Sequence, residues 1–104
     1  MTIVNAMAIR ILIADDHAVV RKGVSTLLED ADDLELVGEA VDGDQALSMI
    51  SSMLPDVLLL DVTMPKMSGL DVAKQVAVQH PSVRILMFSM HNNPAYILDR
   101  KSVV

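Results

Sequence analysis

Residues 9–16 read IRILIADD, an apolar run that ends in the aspartate pair Asp15 and Asp16. Residues 57–61 read VLLLD, so that Asp61 also closes an apolar run. In parallel α/β sheets the carboxyl ends of the strands form the ligand crevice, and acids at neighbouring strand ends therefore converge. Carboxylates that meet repel one another unless a cation joins them. Because Mg²⁺ is commonly held by one or two carboxylates together with phosphate oxygens, these acids predict a magnesium-dependent phosphoryl site.

Four apolar runs predict four strands, at residues 9–14, 34–38, 57–60 and 83–88. Their continuous apolar character is typical of strands buried on both faces of a parallel sheet. Apolar residues at helical spacing predict helices over residues 17–29, 44–53 and 70–79, and Pro94 suits the start of a fourth. Strands that alternate with helices predict right-handed crossovers and an α/β fold.

The helices are expected to bury one apolar stripe each, and methionines on core-facing positions are expected to fill gaps. Asp42-Gly43 and Ser68-Gly69 are interpreted as ordinary loop turns. The expected inward residues are Val20, Val24, Leu27 and Leu28 of the first helix, Leu47, Ile50 and Leu54 of the second, Val72, Ala73 and Val76 of the third, and the methionines Met49, Met53 and Met87.

The chain has 104 residues and is interpreted as one domain spanning residues 1–104. Its apolar runs are far shorter than the ~18 to 20 residues that cross a bilayer, so no membrane segment is expected. The first residues lack the features of a secretory signal and the sequence has no cysteine, which favours a cytoplasmic location. A net charge of −6 without a basic cluster, together with one Tyr, one Phe and no Trp, argues against direct binding of nucleic acid.

The segments ILIADDH at 11–17 and LLLDVTMP at 58–65, followed by Gly69, resemble the receiver domain of two-component response regulators. Further matches are Gly38-Glu39-Ala40, Asp42-Gly43 and LMFSMH at 86–91, which are most similar to receivers that precede LuxR-type helix-turn-helix domains. The resemblance covers about residues 8–99. It implies a flavodoxin-like, doubly wound parallel sheet with strand order 2-1-3-4, which a fifth strand extends in a complete receiver.

The resemblance also implies a role for each polar residue at the strand ends. Asp61 matches the phosphoacceptor, and Asp15 and Asp16 match the pair that binds Mg²⁺. Thr63 matches the position whose backbone carbonyl completes the metal site, and Ser89 matches the hydroxyl switch residue. The implied partner is a histidine kinase. If the three acids meet without metal, at least one of their pKa values should be raised by repulsion between like charges.

Each of these residues also has a simpler interpretation. An aspartate pair ahead of a helix can be its N-cap, since Asp side chains accept hydrogen bonds from the free N–H groups there. Asp61 can begin a turn and Ser89 can cap a strand end. The joint occurrence of polar groups at three neighbouring strand ends favours the receiver. The three histidines, His17, His80 and His91, are interpreted as solvated or capping residues without a phosphorelay role.

Complete receivers continue into a fifth strand that ends in a lysine and then into a fifth helix. Here both are expected to be missing, and Lys101 comes too early in the sequence to match that lysine. Without a fifth strand, residues 83–88 should form an exposed hydrophobic sheet edge, and such edges recruit another chain. A homo-oligomer through the fourth-strand edge is therefore expected.

The leading functional hypothesis is a phosphoacceptor domain that receives a phosphoryl group on Asp61 and is not an enzyme acting on a separate substrate. The alternative is a truncated receiver that acts as a dimerisation or interaction module without productive switching. A metal-dependent phosphatase of the haloacid dehalogenase type is disfavoured, because those enzymes place a second Asp two residues after the nucleophile, where Thr63 stands.

Overall fold

Strands and helices alternate along the chain in the computed structural model, which describes residues 8–64 and 67–89. The strands are β1 (Ile9–Ala14), β2 (Leu34–Ala40), β3 (Val57–Asp61) and β4 (Arg84–Phe88), and the helices are α1 (Ala18–Glu29), α2 (Gly43–Met53) and α3 (Gly69–Gln79). The strands form one parallel sheet in the order β2-β1-β3-β4. The predicted α/β class and strand order are therefore confirmed.

The predicted boundaries are close to those observed, with one notable extension. Strand β2 continues two residues beyond the predicted end, from Gly38 to Ala40. Strand β4 begins one residue later than predicted, and each helix begins within one residue of its predicted start. The fourth helix predicted from Pro94 lies outside the described residues. None of the helices in the described ranges is long and apolar enough to cross a membrane.

Asp42 and Ser68 are helix N-caps, so their interpretation as ordinary loop residues is wrong. The Asp42 carboxylate accepts a 2.8 Å hydrogen bond from the Gln45 backbone N–H, and the Gln45 side chain accepts one of 2.7 Å from the N–H of Val41. The Ser68 hydroxyl accepts a 3.2 Å bond from the N–H of Asp71. These side chains satisfy N–H groups that a helix leaves unpaired at its first turn.

The core lies between the sheet and helices α2 and α3. Met49 and Met87 pack against it from its margin, which fits their predicted gap-filling role. Small residues such as Ala14, Ala40 and Ala46 let the helices approach the sheet closely. The buried members of this core are Leu12, Ala14, Ala40, Ala46, Ile50, Leu58, Leu60, Met64, Val72, Val76 and Val83.

Two of the residues expected to point inward are exposed instead. Leu27 is 74% exposed because the half-buried stripe of α1 follows the i, i+4 row through Val20, Val24 and Leu28, which leaves Leu27 to one side. Leu54 is 56% exposed and has left-handed backbone angles, φ 48° and ψ 62°, as the C-cap of α2. The following proline disfavours right-handed helical geometry at Leu54, so the chain leaves the helix there and turns this side chain outward.

The register of the sheet fixes where each strand ends. Ala14 at the end of β1 pairs with Ala40 of β2 and with Leu60 of β3. The residues that follow this row, Asp15 and Asp61, therefore lie side by side on adjacent strands. Asp61 in turn pairs with Phe88 of β4, and the carbonyl of Phe88 accepts a 2.9 Å hydrogen bond from the N–H of Val62, the residue after β3.

Candidate metal centre at the carboxyl end of the sheet

The three acids predicted to converge do so in the structure. Asp15 and Asp61 are almost fully buried, with 0% and 1% of their surfaces exposed, whereas Asp16 is exposed. Together with His17, each of these residues can offer one ligand atom, and the four atoms lie within 4.8 Å of one another. The register of β1 and β3 explains this meeting, since both strands deliver their terminal acids to the same edge of the sheet.

Asp61 is held by Thr63 through one of its two carboxylate oxygens. The Oδ1 atom accepts a 3.0 Å hydrogen bond from the Thr63 backbone N–H and a 3.2 Å bond from the Thr63 hydroxyl. This turn fixes the orientation of the carboxylate. The other oxygen, Oδ2, is buried and has no hydrogen-bond partner.

Asp15 has the same asymmetry as Asp61. Its Oδ1 atom accepts a 2.7 Å hydrogen bond from the backbone N–H of His17, whereas its Oδ2 atom is buried without a partner. A buried carboxylate oxygen that is neither hydrogen-bonded nor paired is costly, and native proteins seldom leave one unexplained. A divalent cation bound by the carboxylates of Asp15 and Asp61 would offset the charge of both groups. The acids and their geometry therefore fit Mg²⁺, which prefers carboxylate oxygen.

His17 lies at this site, which its interpretation as a solvated or capping residue missed. It is the N-cap of α1, but its side chain makes no capping hydrogen bond. Its Nδ1 atom lies 2.9 Å from Asp15 Oδ1, 3.1 Å from Asp16 Oδ1 and 4.0 Å from Asp61 Oδ2. The sequence signal was the position of His17 directly after the aspartate pair.

The N-cap of α1 is His17 rather than either residue of the aspartate pair. The capping alternative for the pair is therefore not supported. His80 is the C-cap of α3, and its Nε2 atom lies 3.4 Å from the hydroxyl of Ser51, consistent with its predicted capping role. His91 lies outside the described residues.

The pKa values of two groups at the site are shifted. Burial raises the pKa of Asp61, the Thr63 backbone N–H opposes that rise, and the charge of Asp15 adds to it. The pKa of His17 is raised by its hydrogen bond to Asp15 and by the charge of Asp16. The predicted rise of a carboxyl pKa is thus confirmed in direction, although burial is a larger cause than repulsion between like charges.

The loop behind Asp61 is closely packed against the start of α3. The Gly69 backbone N–H donates a 3.1 Å hydrogen bond to the carbonyl of Val62. A Cβ atom at Gly69 would overlap the carbonyl oxygen of Asp61 and lie 2.9 Å from the Val62 Cα. Only glycine allows this approach, so Gly69 helps to set the position of Asp61.

Thr63 and Ser89, the other predicted site residues, both lie near Asp61 in the structure. Thr63 contacts Asp61 through its N–H and hydroxyl groups, which the sequence analysis did not anticipate, and the proposed use of its carbonyl stays a prediction. Ser89 is half-buried and directly follows Phe88, the residue that pairs with Asp61. Its role as a switch residue also stays a prediction.

Comparison with known proteins gives a consistent family assignment. Residues 11–102 match the response regulator receiver domain family. The chain is 34% identical over 94 residues to the transcriptional regulatory protein DegU of Brevibacillus brevis, covering 90% of this chain and 40% of DegU. It is 41% identical over 83 residues to the nitrate/nitrite response regulator protein NarL of Escherichia coli K12, covering 80% of this chain and 38% of NarL. The chain thus spans about two-fifths of the length of these relatives.

Solved structures agree with the sequence relatives. The signal receiver domain of a Mycobacterium tuberculosis NarL regulator has 39% sequence identity and a TM-score of 0.77, over 91% of this chain and 77% of that domain. The isolated receiver domain of RcsB from Salmonella enterica serovar Typhimurium has 28% identity and a TM-score of 0.78, over 91% of this chain and 71% of that domain. This protein therefore belongs to the response regulator receiver domain family, whose members here include two-component transcriptional regulators rather than classical enzymes.

Proposed function

We propose that this chain is the phosphoacceptor domain of a cytoplasmic two-component response regulator, and that Asp61 receives a phosphoryl group from a histidine kinase. The observation that carries this proposal is the Oδ2 atom of Asp61, which is buried without a partner while Thr63 holds Oδ1. The bonds from Thr63 thereby fix the orientation of the carboxylate, and its other oxygen is left open to a ligand. Family membership supports the proposal as well.

Each residue of the site has a separate role in the proposed phosphoryl transfer. A carboxylate oxygen of Asp61 attacks phosphorus, and the bond between phosphorus and the donor atom breaks, so that a covalent aspartyl phosphate forms. Asp15, Asp16, Asp61 and the backbone carbonyl of Thr63 would hold Mg²⁺, which when bound neutralises charge on the phosphoryl oxygens. Thr63 keeps the nucleophile in one orientation throughout.

We assign the switch role to Ser89, whose hydroxyl would contact the phosphoryl group once it is attached. Support comes from the register, since Ser89 follows the Phe88 residue that pairs with Asp61. Phosphorylation of Asp61 would therefore take place on the strand next to the end of β4. The surface that phosphorylation would alter for a partner lies at this carboxyl end of the sheet.

The test is incubation of the protein with acetyl phosphate and Mg²⁺, followed by measurement of the intact mass. We expect the mass of one phosphoryl group on the wild type and none on Asp61→Asn. Asp56→Asn is a matched control, because Asp56 lies at the opposite end of β3 and contacts the Arg10 backbone N–H instead. A wild type that stays unlabelled under conditions that label another receiver would overturn the proposal.

The alternative function is an interaction module that associates through the β4 edge. Strand β4 is at the edge of the described sheet, and Leu86 within it is 58% exposed. A solved RcsB structure contains two dimers on two parallel DNAs, which shows that a related regulator dimerises. Equilibrium sedimentation of the wild type and Leu86→Lys distinguishes the functions. The interaction module is favoured if the wild type forms dimers that Leu86→Lys disrupts. Mg²⁺ and acetyl phosphate should then leave the amount of dimer unchanged.

A further inference from the structure

We propose that the imidazole of His17 is a direct ligand of the metal bound by Asp15, Asp16 and Asp61, so that the site discriminates for first-row transition ions. This inference deepens the proposed function and rests on it, because the same three acids hold the ion. The independent observation is the buried Oδ2 atom of Asp61, which has no hydrogen-bond partner and lies 4.0 Å from His17 Nδ1.

The distances from His17 Nδ1 fit a coordination shell. Atoms bonded at about 2.1 Å to an octahedral ion lie about 3.0 Å apart when adjacent and about 4.2 Å apart when opposite. The Nδ1 atom lies 2.9 Å from Asp15 Oδ1 and 3.1 Å from Asp16 Oδ1, as adjacent ligands would. It lies 4.0 Å from Asp61 Oδ2, as an opposite ligand would.

Hydrogen bonds alone account for only part of this arrangement. A proton on Nδ1 explains the two short approaches to Asp15 and Asp16. It does not satisfy Asp61 Oδ2, which is 4.0 Å away and has no hydrogen-bond partner. An ion among His17 Nδ1, Asp15 Oδ1, Asp16 Oδ1 and Asp61 Oδ2 would give Asp61 Oδ2 the partner that it lacks.

The position of the ring is set by the local backbone. The N–H of His17 is bonded to Asp15 Oδ1, and the carbonyl of His17 accepts a 3.1 Å hydrogen bond from the N–H of Arg21 in the first turn of α1. The side chain is 56% exposed, so its removal should leave the core intact. His17 is therefore an exposed residue that its own backbone holds beside the buried carboxylate of Asp15.

The ligand set determines which ions the site binds most tightly. Carboxylates alone suit Mg²⁺, whereas imidazole nitrogen suits ions such as Ni²⁺, and affinity for any nitrogen or oxygen site rises from Mn²⁺ through Co²⁺ to Ni²⁺. A higher affinity for Co²⁺ than for Mg²⁺ would thus be expected even without His17. The informative quantity is the dependence of the Co²⁺ to Mg²⁺ affinity ratio on the imidazole.

The experiment is calorimetric titration of the wild type, His17→Ala, His80→Ala and His91→Ala with Co²⁺ and with Mg²⁺. We expect the ratio of Co²⁺ to Mg²⁺ affinity to fall about tenfold in His17→Ala, the loss of one ligand. The His80→Ala and His91→Ala variants should keep the wild-type ratio. A ratio in His17→Ala within twofold of the wild type overturns the proposal.

A second measurement does not depend on the folding of His17→Ala. In the double variant His80→Ala, His91→Ala, His17 is the one remaining histidine, and Co²⁺ should shift an imidazole N–H proton resonance far outside the diamagnetic range. An unshifted imidazole in the Co²⁺-loaded protein overturns the proposal. Labelling of the wild type by acetyl phosphate with Mg²⁺ separates the two ideas. Normal labelling with an unshifted imidazole defeats only the ligation by His17, whereas failed labelling defeats the phosphoacceptor function.

Discussion

The Nη1 atom of Arg21, in the first turn of α1, donates a 2.7 Å hydrogen bond to the carbonyl oxygen of Asp15. The Nε atom of Arg21 also lies 3.3 Å from Glu39 Oε1 at the end of β2. One guanidinium therefore ties the first helix to the ends of two adjacent strands. It fixes the backbone from which Asp15 points into the metal centre.

Replacing Arg21 by Met should lower the free energy of unfolding by about 1–2 kcal/mol, because the Asp15 carbonyl loses a charged donor. Glu39→Gln is the control, since it removes the exposed ion pair and keeps the bond to Asp15. It should cost less than about 1 kcal/mol. Urea denaturation of the three proteins measures both differences. Equal losses in the two variants would show that the bond to Asp15 contributes nothing of its own.

Replacing Asp61 by Asn should stabilise the metal-free protein by about 1 kcal/mol, because it removes a buried charge and keeps an oxygen for the two Thr63 donors. The same variant should lose its stabilisation by Mg²⁺. For the wild type, Mg²⁺ at ten times its dissociation constant should add about 1.4 kcal/mol. Thermal melting with EDTA and with millimolar Mg²⁺ tests both effects. A wild-type melting temperature that ignores Mg²⁺ would argue against the metal centre.

The stability of the metal-free protein should fall as pH rises, in two windows. The folded pKa of Asp61 is raised above its ordinary value of 3.8, so ionisation destabilises the fold as pH rises above that value. The folded pKa of His17 is raised above 6.5, so its contribution is present below that value and is lost as pH rises through the folded pKa.

Urea denaturation in EDTA between pH 3.5 and 9 should separate these windows, on the scale set by the ordinary pKa values of about 4 and 6.5. Asp61→Asn should remove the pH dependence of stability in the acidic window, and His17→Ala should remove it in the neutral window. Mg²⁺ should oppose the fall at neutral pH because it binds the ionised acids. A wild-type stability that increases between pH 6 and 8 would contradict the assigned directions.

Replacement by alanine should change the free energy of unfolding in opposite directions at two glycines. A Cβ atom at Gly23 in α1 would meet nothing within 4 Å, so Gly23→Ala should stabilise the protein by about 1 kcal/mol through helix propensity. Gly69→Ala would drive its Cβ into the carbonyl oxygen of Asp61, and should destabilise by about 1–3 kcal/mol through overpacking. Because Asp61 must move, Gly69→Ala should also weaken the stabilisation by Mg²⁺. Differential scanning calorimetry with and without Mg²⁺ measures both variants.

The strands and the acids at their ends could be predicted from the sequence because both are local features. An apolar run such as 57–60 has to be buried, and Asp61 marks where the apolar run ends. The strand order came from the resemblance to receivers. Residues at the ends of helices were predicted less well. Leu54 and Asp42 sit where the chain changes direction, and there single hydrogen bonds and backbone angles decide the orientation rather than a periodic pattern.

The sequence by itself determined that Asp15, Asp16 and Asp61 lie at strand ends, since the continuous apolar runs place those ends within a residue or two. Tertiary structure decided which atoms meet there. The pairing of Ala14 with Leu60 sets Asp15 beside Asp61, and a shift of one residue would have turned the acid to the other face of the sheet. His17 lies beside Asp15 because it follows the aspartate pair along the chain, whereas its 4.0 Å distance to Asp61 depends on the pairing of the two strands.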